Sequence, residues 1–142
     1  MRKVAVVYWS MGGNTAAMAE AVADGARQAG AEVLLRQVSE TTPEEALSCD
    51  AIALGCPAMG AEVLEESEFE PFFAQLGGSL GGKQVALFGS YGWGDGQWMR
   101  DWWERTEADG ALLVGSEGLI VQEAPDEDGL AKCRDLGASL AN

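Results

Sequence analysis

Three short apolar runs, Val4–Tyr8, Ala51–Gly55 and Val85–Gly89, are each followed by a loop bearing glycine and then by a segment that reads as helix. A run that is apolar at every position has no solvent face, so it fits a strand buried on both sides, as in a parallel sheet covered by helices. After the first run, Asn14 or Thr15 can cap a helix in which Met18, Ala19, Val22, Ala23 and Ala26 recur at helical spacing before Gly30 ends it. Val33–Val38 predicts a second strand, and Pro43–Leu47 a short helix with proline at its start. Pro71–Leu76 begins or sits within a predicted helix that ends in the Gly77-Gly78 turn, and Trp98–Asp109 predicts an amphipathic helix. Ala111–Val114 with Leu119–Val121 predict a split fifth strand, and Glu127–Leu140 a last helix. Strands and helices that alternate from end to end predict an α/β sheet with right-handed crossovers and a ligand site at the carboxyl ends of the strands. Three loops stand at such ends: Ser10–Thr15, Cys56–Glu62 and Ser90–Gly96.

Composition narrows what those loops can do. A chain of 142 residues, 47% hydrophobic, falls in the size range of one domain spanning residues 1–142. Its net charge of −14 disfavours nucleic acid and anionic membrane and favours partners with a basic docking face. The sequence holds no histidine, which removes histidine-based nucleophile pairs and the usual zinc sites. Any demanding chemistry must then come from a cofactor. Cys49, Cys56 and Cys133 form neither a CxxC pair nor an even set, so a reduced, cytoplasmic setting is expected and no metal site is signalled. No run reaches the length of a membrane span, and the first residues show no signal-peptide pattern, so an unprocessed soluble protein is expected.

The loops differ in chemistry. Ser10, Met11, Gly12, Gly13, Asn14 and Thr15 include no cation, so a phosphate there would be held by backbone N–H groups, a helix dipole and the polar side chains of Ser10, Asn14 and Thr15. Ser90, Tyr91, Gly92, Trp93, Gly94 and Asp95 set two large aromatics among glycines, offering flat faces to a planar ring. A nucleotide with its phosphate at one strand end and its ring at another satisfies both.

These residues resemble the flavodoxin family, specifically its short-chain, clostridial-type members. The carriers are Val7-Tyr8-Trp9-Ser10 leading to Gly13-Asn14-Thr15, then Leu54–Gly60, Glu65–Phe72, and Ala86–Gly96 continuing to Trp98-Met99-Arg100-Asp101. The resemblance covers essentially the whole chain. It implies a doubly wound three-layer sandwich around a five-stranded parallel sheet of order 2-1-3-4-5. It also implies non-covalently bound FMN, with phosphate in Ser10–Thr15 and the isoalloxazine between Met59 and Trp93. The ring edge would face Pro57, Ala58, Met59, Gly60, Ala61 and Glu62, with Glu62 near the ring N3–H. In similar proteins the peptide after Gly60 flips on one-electron reduction, so that its carbonyl accepts a hydrogen bond from flavin N5. A type II turn over Met59–Glu62 would then require positive φ at Ala61.

The implied function is a low-potential single-electron carrier rather than an enzyme, a monomer serving basic-faced reductases and oxidoreductases, with no catalytic residue of its own. Glu62, Glu65, Glu66, Glu68, Glu70 and Asp95 are expected to ring the flavin edge. The rival is an FMN-dependent quinone or flavin reductase, which would need an open pocket beside the ring and usually a site for NAD(P)H. Two departures stand out: Met11 and Gly12 replace a hydroxyl-bearing phosphate loop, and Ala61 stands where glycine, asparagine, aspartate or serine is common. Gly77–Gln84 approaches a nucleotide-binding glycine loop, but Gln84 replaces its Ser/Thr and the segment precedes a strand, so it reads as a turn.

Overall fold

The computed structural model describes residues 2–60 and 62–141. In chain order the elements are β1 (Lys3–Tyr8), α1 (Asn14–Gln28), β2 (Glu32–Gln37), α2 (Pro43–Leu47), β3 (Ala51–Gly55), α3 (Phe69–Gly77), β4 (Gln84–Tyr91), α4 (Gln97–Ala108), β5 (Leu112–Leu113), β6 (Leu119–Gln122) and α5 (Glu127–Leu140). The sheet is parallel in the order β2-β1-β3-β4-β5, and β6 continues beyond β5 along the same edge of β4. The split fifth strand is therefore two short pieces on one neighbour: Leu112–Leu113 pairs with Gln84–Val85, and Leu119–Gln122 with Phe88–Tyr91.

Side chains alternate across the sheet, and both sets are buried. Val4, Val6, Ala51, Ala53, Ala86 and Phe88 face α1 and α5, joining Met18, Ala19, Val22, Ala23, Ala26, Cys133 and Leu140. Ala5, Val7, Ile52, Leu54, Val85 and Leu87 face the other way, against Phe69, Phe73, Leu76, Trp98 and Trp102. The period of two in a strand thus splits each apolar run between two cores, which explains why no polar position interrupts it.

Several boundaries differ from the sequence expectation, and three of the differences have a clear physical cause. Asn14 is the first helical residue of α1, and its cap is Gly13 at φ +92°, with no side-chain bond, so neither Asn14 nor Thr15 caps the helix. β2 ends at Gln37, because Val38 opens a single tight helical turn. β4 runs on to Tyr91, since β6 supplies hydrogen-bonding partners for Ser90 and Tyr91; these two residues are strand, not loop. The turn before β4 is structural as expected, with Lys83 Nζ donating to the carbonyls of Leu47 and Cys49.

Candidate functional site

The parallel strands bring three connections to one end of the sheet. The chain leaving β1 is fastened by Trp9 N–H to the Gly55 carbonyl (3.0 Å), and the chain leaving β3 by Cys56 N–H to Phe88 O (3.1 Å) and Ala58 N–H to Ser90 O (3.1 Å). Trp98 on α4 ties in from behind, its indole N–H donating to Cys56 O at 3.2 Å. Burial pushes the Cys56 thiol up to about 12, so it stays protonated and serves as packing, with Sγ accepting from Glu65 N–H at 3.4 Å.

Between these connections lies a cavity of about 220 Å³ lined by Trp9, Ser10, Met11, Gly12, Asn14, Thr15, Pro57, Ala58, Met59, Ser90, Tyr91, Gly92 and Glu123. Eleven of these belong to the sequence-derived set; Trp9 and Glu123 do not. At the α1 end the first helical turn carries no acidic residue, leaving the positive end of the dipole uncompensated. Gly13 N–H is already engaged by Ser10 Oγ at 3.2 Å, and Thr15 Oγ1 accepts from Ser90 N–H at 3.4 Å, so the first loop is braced both internally and against β4.

The remaining sequence-derived residues stand around the rim. Trp93 is 65% exposed and Met11 77% exposed, so neither is a core residue. Tyr91 is half-buried and packs on Trp98 with centroids 5.6 Å apart. Gly60, at φ +43°, starts the turn closed by Met59 and Val63, which exchange two backbone hydrogen bonds of 2.9 and 3.1 Å. Ala61, and with it the expected φ of that residue, lies outside the described residues. Glu62 adopts φ +57°, a left-handed conformation that costs a residue with a Cβ about 1–2 kcal/mol. Its Oε1 is buried with no hydrogen-bond partner among the described residues. An unpartnered buried carboxylate oxygen is an acceptor in need of a donor.

The expected acidic rim is rearranged. Glu65 is buried, and its carboxylate accepts from the N–H groups of Ser67, Glu68 and Phe69 at 2.8–2.9 Å and from the Ser67 hydroxyl, closing the start of α3. Burial alone would push this carboxyl up, but those four hydrogen bonds outweigh it and hold it below the ordinary value. Glu70 forms a paired contact with Arg105 at 2.6–2.7 Å, Asp95 pairs with Arg100 at 3.0 Å, and Glu68 accepts from Trp9 Nε1 at 3.1 Å. Four of these acids, Glu65, Glu68, Glu70 and Asp95, therefore brace loops or helices, while Glu66 lies exposed.

Glu123 escaped sequence reasoning altogether. It sits after β6 at φ +56°, with its N–H donating to Tyr91 O and its carbonyl accepting from Ser90 Oγ, both at 2.7 Å. Its place at the cavity depends on β6 pairing with β4, a contact across 33 residues that no local signal announces. Among the described residues no cluster of acids and cysteines could hold a metal ion, and no helix is long and apolar enough to cross a membrane.

Comparison with known proteins agrees with this layout. The chain is 50% identical to a flavodoxin of Clostridium beijerinckii over 96% of its own length and 98% of that protein's. It is 48% identical to a flavodoxin of Megasphaera elsdenii, covering 97% of this chain and 98% of that one. The solution structure of two-electron reduced Megasphaera elsdenii flavodoxin superposes on it with a TM-score of 0.89 over 97% of this chain and 98% of the other. The flavodoxin sequence pattern itself matches residues 6–137, and with that match and those full-length relatives the chain belongs to the flavodoxin family.

Proposed function

We propose that the chain is a low-potential one-electron carrier that holds FMN non-covalently between its three strand-end loops and passes electrons between partner proteins. The observation that carries this reading is the pairing of two unmet demands among the strand-end loops: a cation-free helix N-terminus with no acid in its first turn, which opens onto the cavity, and, on the turn after β3 beyond the residues that line that cavity, a carboxylate oxygen on Glu62 that is buried with no partner among the described residues. FMN offers the complements, a phosphate for the first and an imide N–H for the second. Bound FMN supplies reversible uptake of electrons one at a time.

The residues divide the work. Ser10, Asn14 and Thr15, with the backbone N–H groups opening α1, bind the phosphate without a cation, as helix N-termini do. Met59 and Trp93 flank the ring with a polarisable and an aromatic face. Glu62 orients the ring edge, and its negative charge disfavours added negative charge on the ring, which lowers the potential. Exposed acids such as Glu66, with the net charge of −14, steer basic-faced partners toward this end. The buried free thiols Cys49, Cys56 and Cys133 fit a reducing, cytoplasmic setting, and we expect a monomer.

The purified chain should be yellow and should not oxidise NADH or NADPH unless a reductase is added. Electron transfer to a basic partner should slow as salt rises, because the Debye length falls to about 8 Å at physiological ionic strength. Rapid pyridine-nucleotide oxidation by the chain alone would make it a reductase and overturn the carrier reading.

A further inference from the structure

Gly94 occupies a position that any other residue would take from the Glu62 carboxylate. A Cβ placed on Gly94 would lie 2.6 Å from Glu62 Cδ and 3.2 Å from Oε2, and would overlap Oε1, the same oxygen that is buried with no partner among the described residues. What it would strike is the far end of a flexible side chain, so the carboxylate would move before the backbone did. Gly94 itself sits at φ +87° and Glu62 at φ +57°, so both loops adopt left-handed backbone where they meet. Left-handed residues that a structure over-determines mark places where geometry serves function.

Glutamate has many rotamers, and an exposed one would spread its charge over several directions. Against Gly94 its Oε1 is held in a buried position. We propose that Gly94 is the positioning residue for Glu62: its missing side chain seats the carboxylate against the third loop and so makes the site selective for rings with a free imide N–H. The inference rests on the FMN reading above. It assigns to Gly94 a part in ligand selection exercised through another side chain.

The test compares FMN with N3-methyl-FMN, which lacks the imide hydrogen, by fluorescence titration of the apoprotein. The parent should prefer FMN by about tenfold or more, the scale of one hydrogen bond to a charged group. Gly94→Ala should shrink that preference at least threefold. Gly94→Asn, whose side chain tolerates positive φ, carries the same Cβ with less backbone strain and should do likewise. In a Glu62→Ala background the preference should be gone, and adding Gly94→Ala should leave it unchanged. A general loosening of the loop would weaken both ligands alike and preserve the ratio, which would overturn the proposal. So would a parent that does not discriminate, or a Gly94 effect that persists without Glu62. A parent that binds neither flavin overturns the FMN reading, and the proposal with it, a result distinguishable from all the others.

Discussion

The two faces of the sheet are built on opposite packing principles. On the α1–α5 face the central strands present Ala51, Ala53 and Ala86, and the helices meet through glycine: a Cβ on Gly137 would lie 2.8 Å from Val22 C and 3.0 Å from Ala26 N. On the α3–α4 face the strands present Ile52, Leu54 and Leu87, and the helices answer with rings. There Trp102 meets Phe69 and Phe73 edge-on at 5.4 and 5.8 Å, and Arg105 lies 4.8 Å over the Phe73 ring. The loop that follows β1 is mounted on the close-packed face, as the start of α1. The loops that follow β3 and β4 are mounted on the aromatic face, through Trp98, Tyr91 and the Glu65 cap of α3. Small residues fix backbone against backbone and so place N–H groups; large ones fix side chains and so place ring surfaces.

The largest expected effect lies on the aromatic face. Phe73→Ala, at a fully buried position, should destabilise by about 3–5 kcal/mol in urea unfolding, the cost of the lost ring and its cavity. A loss below about 1 kcal/mol would mean that the neighbouring rings collapse into the space and that this face is not rigidly packed.

Gly137→Ala tests the other face by overfilling it. Alanine gains up to about 1 kcal/mol of helix propensity, yet its methyl meets backbone that cannot swing aside, so a net loss of about 2–3 kcal/mol is expected. Equal or higher stability would show that α1 and α5 are not in backbone contact.

Gly12→Thr probes the loop that opens the close-packed face. A Cβ on Gly12 meets nothing within 4 Å, so a hydroxyl can be added without displacement. FMN should bind more tightly by about 1.5–3 kcal/mol at most, the value of one hydrogen bond to a charged group. Unchanged or weaker binding by titration would separate residue 12 from the phosphate.

Glu65→Gln should cost about 1.5 kcal/mol at neutral pH, since charge-assisted bonds at the start of α3 become neutral ones. Because the folded carboxyl is held below its ordinary value, its contribution is complete above about pH 4.3 and is lost as pH falls from there through the lowered folded value. The parent's stability should therefore drop more steeply than the variant's below about pH 4.3. Parallel curves would show that Glu65 does not cap α3 as an anion.

Much of this was legible in the sequence, and the misses have common causes. α2, β3 and α5 lie where the sequence places them: Pro43 after a capping Thr42, an unbroken apolar run at Ala51–Gly55, and Asp126 capping ahead of Glu127 are all local signals. Ser90 and Tyr91 read as loop because the strand that extends them, β6, lies far along the chain. Glu123 was invisible for the same reason. The start of α1 departs from the expectation because a left-handed Gly13 caps it without any side-chain acceptor, while Asn14 beside it looks like the better cap. Glu65 looked like surface in a run of acids because nothing local tells a buried helix cap from a solvated charge.

The central claim is that the two differently built faces meet at one site for a flavin phosphate and its ring, and titration of the apoprotein with FMN and with riboflavin in parallel tests it most directly. About one FMN per chain should bind, as for a single preformed pocket. Riboflavin, which lacks the phosphate, should bind more weakly. Riboflavin binding as tight as FMN would deny the start of α1 its phosphate, and binding of neither would contradict the account.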